Sequence, residues 1–113
     1  MESDVTFSDE AEEAYDNLKG KSKNSKVEGS ILRAIDQKIV WIKLDTNYGN
    51  PIAKNLIPNE YIIKYEAKNL FRIELPDYWR MLYTLRPPVN GKVIAFVLDI
   101  LDHKNYSKKF GYK

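Results

Sequence analysis

Hydrophobic residues recur at helical spacing in the segment from about Lys26 to Leu44. One face of the predicted helix carries a stripe of isoleucines, namely Ile31, Ile35, Ile39 and Ile42. Ser25 and Glu28 have the spacing of a capping box, in which two side chains satisfy free backbone N–H groups at a helix start. The segment Asn47–Pro51 is rich in turn residues and is expected to end this helix.

A shorter helix is predicted before it, after the β-favouring run Val5–Phe7. Ser8 can cap this helix, because its hydroxyl accepts a hydrogen bond from a backbone N–H in the first turn. One helical face then carries Ala11, Ala14, Tyr15 and Leu18. Gly20 is expected to end the helix.

The second half of the chain has the alternating pattern of β-strands. Phe71, Ile73 and Leu75 alternate with charged residues, and a second alternating run begins at Trp79. Pro76-Asp77 separates these two strands, and residues 87–91 predict a turn. Val93–Leu98 is apolar on both faces, as expected for a central strand covered on both sides. Residues 52–68 fit either a strand or one helical turn.

Asp102 can cap a short last helix, with Gly111 after its end. The order of elements predicts an α+β fold, in which two N-terminal helices pack on one face of an antiparallel β-sheet and a short C-terminal helix follows. The 113 residues are expected to form a single domain, 1–113.

Composition and charge narrow the class of protein. The chain has no cysteine, which excludes disulfides and thiolate metal sites. Its longest apolar run, Val93–Leu98, is too short to span a bilayer. The acidic start is unlike a secretion signal, so a cytoplasmic protein is expected. Residues 1–16 hold seven acidic side chains and no basic one. Residues 17–113 therefore hold the other nine acidic side chains and all eighteen basic ones, and carry an excess of positive charge. That excess suits a polyanionic partner, although lysine-rich surfaces are commonly only solvated.

The C-terminal half resembles toxins of the RelE/ParE superfamily. The resemblance lies in the strand 69–76, the Arg80-x-x-Tyr83 strand, the long apolar strand, and the polar motif Asp102–Tyr106. It implies the two-helix, antiparallel-sheet fold. It also implies a toxin held inactive by a cognate antitoxin, with no cofactor and no metal. RelE-type members cut ribosome-bound messenger RNA, whereas ParE-type members inhibit gyrase. Fold transfers better than activity, so a diverged, non-catalytic binding module is a further alternative.

The resemblance implies a catalytic set of Arg80, His103 and Tyr106. Arg80 can bind the phosphate with two prongs, or form a salt bridge with Asp77 or Glu74. His103, the single histidine, can transfer a proton near neutral pH, or begin the last helix by bonding to backbone. Tyr106, three residues on, can donate a hydrogen bond, act in proton transfer or stack on a base, or it can pack with Phe110.

Basic residues near this set predict an RNA-binding surface. Basic side chains interleaved with aromatic ones suit single-stranded RNA or ribosomal RNA. The expected contacts are Arg72, Lys104, Lys108 and Lys109, with Tyr112 and Lys113 in the same tail. Glu74 departs from the family, where a second basic residue usually stands. An acid there weakens the phosphate site, unless Glu74 itself acts as a base.

Overall fold

A computed structural model describes residues 3–111 of the protein. Within this range the chain forms four α-helices and five strands. In chain order these are β1 (Ser3–Phe7), α1 (Asp9–Lys21), α2 (Lys26–Leu44), β2 (Asn50–Pro51), α3 (Asn59–Tyr65), β3 (Phe71–Glu74), β4 (Arg80–Val89), β5 (Lys92–Leu101) and α4 (His103–Phe110). A 3₁₀ turn at Lys54–Leu56 precedes α3, and a turn at Pro76–Tyr78 joins β3 to β4. The α+β class expected from the sequence is confirmed.

The five strands form one mixed sheet in the order β1-β5-β4-β3-β2. Strands β2 to β5 pair antiparallel, but β1 pairs parallel with β5, with Val5 opposite Ala95. The purely antiparallel sheet expected from the sequence is therefore wrong at this edge. Helices α1 and α2 separate β1 from the other strands, and parallel pairing requires such a long crossover connection.

The start and end of the N-terminal helices differ in part from the sequence signals. Helix α2 spans the predicted range. Ser8 caps α1 as predicted, because its hydroxyl oxygen accepts from the N–H of Ala11 at 3.0 Å and also donates to the carbonyl of Leu98 at 2.7 Å. The helix α1 runs through Gly20 and ends at Lys21. Ser25 donates its hydroxyl to the Glu28 carboxylate instead of accepting from a backbone N–H, so the cap expected from the Ser25 side chain is absent.

The sheet separates two hydrophobic clusters. Helices α1 and α2 pack on the first face, which buries Leu18, Ile35, Ile42, Met81, Tyr83 and Val97. Helices α3 and α4 cover the second face, which buries Tyr61, Leu70, Leu82, Leu98 and Tyr106. Strand β5 lies between β1 and β4 with apolar side chains in both clusters. The prediction of an interior strand at Val93–Leu98, covered on both sides, is confirmed.

A β-bulge interrupts the pairing of β4 with β5. Leu82 lies opposite Asp99 and Tyr83 opposite Val97, which leaves Leu98 without a partner in the register. Leu98 and Asp99 consequently both face the second cluster, beneath α3 and α4. The bulge therefore directs a carboxylate into an otherwise apolar layer.

Two loop regions are now defined. The segment that the sequence left open, residues 52–68, contains the two-turn helix α3 rather than a strand. The predicted turn at 87–91 is shorter than expected, because β4 continues to Val89 and the reversal occurs at Asn90-Gly91. Both residues have left-handed φ, 51° and 78°, which suits the twist of a two-residue hairpin. No helix in residues 3–111 has the length and hydropathy needed to cross a membrane.

Candidate functional site

Three charged side chains meet where β3 and β4 begin to separate. Arg72 and Glu74 occupy alternate positions of β3, so they project from the same face of the sheet. The strand register puts Glu74 directly opposite Arg80, the first residue of β4. Cross-strand neighbours of opposite charge attract each other, so the pairing of Glu74 with Arg80 follows from the register itself.

Glu74 lies between the two guanidinium groups. Its Oε1 atom is 3.4 Å from Nε of Arg80 and 3.6 Å from Nε of Arg72. Nε of Arg80 is buried and makes no hydrogen bond within the described residues, so the contact with Glu74 is one of charge. The Glu74 side chain is 59% exposed, whereas that of Arg80 is 12% exposed. Of the two alternatives for an Arg80 salt bridge, the structure has Glu74 and not Asp77.

Tyr106 lies beneath these arginines and is 3% exposed. Its hydroxyl accepts a hydrogen bond from Nη1 of Arg72 at 2.9 Å, and its ring centroid lies 5.0 Å from the guanidinium carbon of Arg80. The ring also packs on Phe110, with centroids 4.6 Å apart. Tyr106 therefore joins the predicted site, but as a buried side chain that orients both arginines. Its packing with Phe110 exists alongside that contact.

His103 and Tyr106 both lie on α4, and they differ in exposure. Asp102 begins this helix as predicted, since its carboxylate accepts from the N–H of Asn105 at 2.8 Å. His103, the first helical residue, is exposed and faces Tyr78, with ring centroids 5.8 Å apart. Because His103 is exposed, it is the member of the expected catalytic set that a ligand can reach most easily.

Tyr78 belongs to the site although the sequence pattern did not indicate it. Its backbone carbonyl accepts a hydrogen bond from Nη1 of Arg80. Asp77 and Tyr78 both have left-handed φ, 59° and 62°, a conformation that costs about 1–3 kcal/mol for each residue other than glycine. The signal that could have drawn attention to Tyr78 is an aromatic residue beside Pro76-Asp77 that fits neither alternating strand.

The three predicted RNA-binding lysines of α4 have different surroundings. Lys104 and Lys108 are exposed. Lys109 instead points inward, where its ammonium lies 3.2 Å from Oδ2 of Asp99 and also contacts Glu60. Lys113 and Tyr112, the other members of the predicted tail, lie outside the described residues.

The Lys109 ammonium belongs to a buried polar network. The hydroxyl of Tyr61 donates to Oδ2 of Asp99 at 2.6 Å, so Asp99 receives hydrogen bonds from α3 and α4. Burial alone would lower the pKa of Lys109, but its hydrogen bonds and charge interactions with Glu60 and Asp99 raise that pKa above its ordinary value. Burial, and then the charge of Asp99, raise the pKa of the Tyr61 hydroxyl. Both groups therefore keep their protons at neutral pH, and the network holds α3 and α4 on the sheet.

The cluster of Arg72, Glu74, Arg80, Tyr78 and His103 combines positive charge, a carboxylate and a titratable imidazole. Such a set can bind a phosphate and move protons. Among residues 3–111, no three His, Asp or Glu side chains are gathered in a way that could hold a metal ion. In comparisons with protein family models, with curated proteins and with solved structures, nothing matches this chain, so a function must be derived from these side chains.

Proposed function

We propose that this protein is a RelE/ParE-type toxin that cuts ribosome-bound messenger RNA in the cytoplasm without a metal. One observation carries the proposal. Two guanidinium groups, oriented by the buried Tyr106, flank the exposed carboxylate of Glu74. The exposed His103 lies against the ring of Tyr78, whose carbonyl accepts a hydrogen bond from Arg80. Metal-free RNA cleavage needs positive charge at the phosphate and groups that take up and release a proton.

Arg80 and Arg72 supply the positive charge. A guanidinium stays protonated in any setting and offers a planar pair of donors to phosphate oxygens. Tyr106 fixes the end of Arg72 by a hydrogen bond and lies against the guanidinium of Arg80. This prior ordering lowers the cost of arranging the donors around the phosphorane that forms during cleavage.

Glu74 and His103 supply the proton transfers. Arg80 contacts Glu74 through Nε and the Tyr78 carbonyl through Nη1. The imidazole of His103 lies against the ring of Tyr78. Glu74 takes the proton of the 2′-hydroxyl, and the 2′-oxygen attacks phosphorus to give a 2′,3′-cyclic phosphate. The 5′-oxygen leaves with the P–O bond electrons and takes a proton from His103.

The substitution Glu74→Gln tests the role of the carboxylate. We expect cleavage to slow by about 10²–10⁴, because a positioned general base contributes that much. Binding of a short single-stranded RNA should become tighter, because one negative charge between two arginines is removed. Glu13→Gln, at an exposed position of α1, is the matched control. Unchanged or faster cleavage by Glu74→Gln would mean that Glu74 only neutralises the arginines.

A second candidate function is a non-nuclease toxin or binding module, such as a ParE-type gyrase inhibitor. It is favoured by Glu74, which offsets the charge of one of the two arginines, and by the burial of Tyr106. If the purified protein never cuts messenger RNA on ribosomes but inhibits supercoiling by gyrase, this second function replaces the first.

We also propose a cognate antitoxin as partner, bound over the arginine cluster and α4. Lys104 and Lys108 are exposed on α4, and an acidic or helical segment suits such a surface. Co-expression with the product of the neighbouring open reading frame should give a complex that survives gel filtration at micromolar concentration. The variant Lys104→Glu/Lys108→Glu should weaken that complex, whereas Lys19→Glu on α1 should not. Separate elution of the two proteins would exclude this partner.

A further inference from the structure

Tyr78 presents a large aromatic surface to solvent beside the arginine cluster. The side chain is 71% exposed although His103 lies next to it. The phenol ring gains little from this position, because exposed aromatic surface costs free energy in water. The backbone also takes on strain here, with left-handed φ at both Asp77 and Tyr78. Strained residues that keep an apolar ring in solvent next to charged groups are a feature of ligand sites.

The backbone of Tyr78 ties this ring to the phosphate-binding groups. Its carbonyl accepts a hydrogen bond from Nη1 of Arg80, so the residue that carries the ring is held next to the guanidinium. The rings of Tyr78 and His103 are inclined at 59° and lie 5.8 Å apart, which makes an aromatic corner. A flat, uncharged group covalently joined to a phosphate would meet the ring while its phosphate meets Arg80.

We propose that Tyr78, with His103 beside it, is a stacking platform for one nucleobase of single-stranded RNA. The inference rests on the proposed function and deepens it by naming the part of the substrate that Tyr78 binds. A base paired in a duplex keeps both faces covered by its neighbours, so the platform selects unpaired RNA. Every base has an aromatic face, so stacking here fixes the position of the chain with little preference for sequence.

The experiment uses the full chain and a short single-stranded RNA that carries one 2-aminopurine, whose fluorescence falls when it stacks. The parent is expected to quench the fluorophore, and Tyr78→Phe to retain this quenching. Tyr78→Ala should lose it and bind roughly 10- to 100-fold more weakly, since stacking on one aromatic side chain accounts for that range. The contact with Arg80 runs through the backbone carbonyl and remains in all three proteins. Leu44→Ala, which removes another exposed apolar side chain, should behave like the parent.

Salt dependence separates stacking from phosphate binding. Tyr78→Ala removes no charge, so the slope of log Kd against log salt should equal that of the parent, whereas Arg80→Ala should flatten it. The platform is refuted if Tyr78→Ala binds and quenches like the parent, or if the parent itself gives no quenching. Cleavage on ribosomes is measured separately. Quenching by a parent that never cuts would support the platform and overturn the nuclease function.

Discussion

Replacing Arg80 by alanine should slow cleavage of messenger RNA on purified ribosomes by about 10²–10³, because removing one group that stabilises the transition-state charge typically has this effect. Arg80 is held by three neighbours, namely Glu74 at 3.4 Å, the Tyr78 carbonyl and the Tyr106 ring. Growth arrest on induction should disappear with the activity. Cleavage sites mapped by primer extension provide the measurement.

Two further variants make the Arg80 result specific. Arg33→Ala removes an exposed arginine from α2 and should cut at the parental rate. Arg80→Lys keeps the charge but loses the two-pronged donor geometry, so we expect a rate between those of the parent and the alanine variant. Circular dichroism and a urea titration check that Arg80→Ala remains folded without its contact with Tyr106. Parental cleavage by folded Arg80→Ala would remove Arg80 from the reaction.

The extent of α2 and the interior position of β5 could be predicted because each depends on a repeated local pattern. The isoleucine stripe of α2 runs along the helix, and four of the six residues in Val93–Leu98 are buried in a hydrophobic cluster or packed on one. The pairing of β1 could not be predicted, since a five-residue strand separated from its partner β5 by three α-helices and three strands carries no local sign of its direction.

The site was predictable only as far as strand periodicity reaches. The alternation of side chains along β3 already implied that Arg72 and Glu74 lie on the same face of the sheet. The pairing of β3 with β4 then placed Arg80 opposite Glu74. The burial of Tyr106 was not predictable, because it depends on how α4 packs across the sheet. Asp77 and Tyr78 both have left-handed φ. Glycine in a sequence indicates such a conformation, but these two residue types do not, so the exposure of Tyr78 could not be predicted.

The role of Lys109 also depended on a feature without a sequence signal, the bulge at Leu98. The shift in register turns Asp99 towards α4, where Lys109 meets it. Lys109 was expected to bind RNA together with Lys108, one residue before it. Neighbours on a helix point about 100° apart, so one of two consecutive lysines can face the sheet while the other faces solvent.

Lys109→Met should lower the free energy of unfolding by about 3 kcal/mol, because removing one partner of a buried ion pair leaves the other charge uncompensated. Asp99 is 7% exposed and would keep only the hydroxyl of Tyr61, at 2.6 Å, as its donor among the contacts of this network. Lys108→Met, at an exposed position of the same helix, should change stability by no more than about 0.5 kcal/mol. Urea titrations at pH 7 measure both values.

The effects of the two variants on RNA binding should be the reverse of their effects on stability. Lys108→Met should weaken binding of single-stranded RNA and reduce its salt dependence, whereas Lys109→Met should leave both unchanged while the protein is folded. The double variant Asp99→Asn/Lys109→Met should recover part of the lost stability, because no buried charge then remains unpaired.

The stability that Lys109 contributes should also depend on pH. The pKa of Lys109 is raised in the folded protein, so this stability is fully present below pH 10.5 and is lost as the pH rises through the higher pKa of the folded protein. The stability difference between the parent and Lys109→Met should accordingly shrink above pH 10.5. If the parent and Lys109→Met were equally stable at pH 7 and Lys109→Met bound RNA more weakly, Lys109 would be an RNA contact and not a stabilising residue.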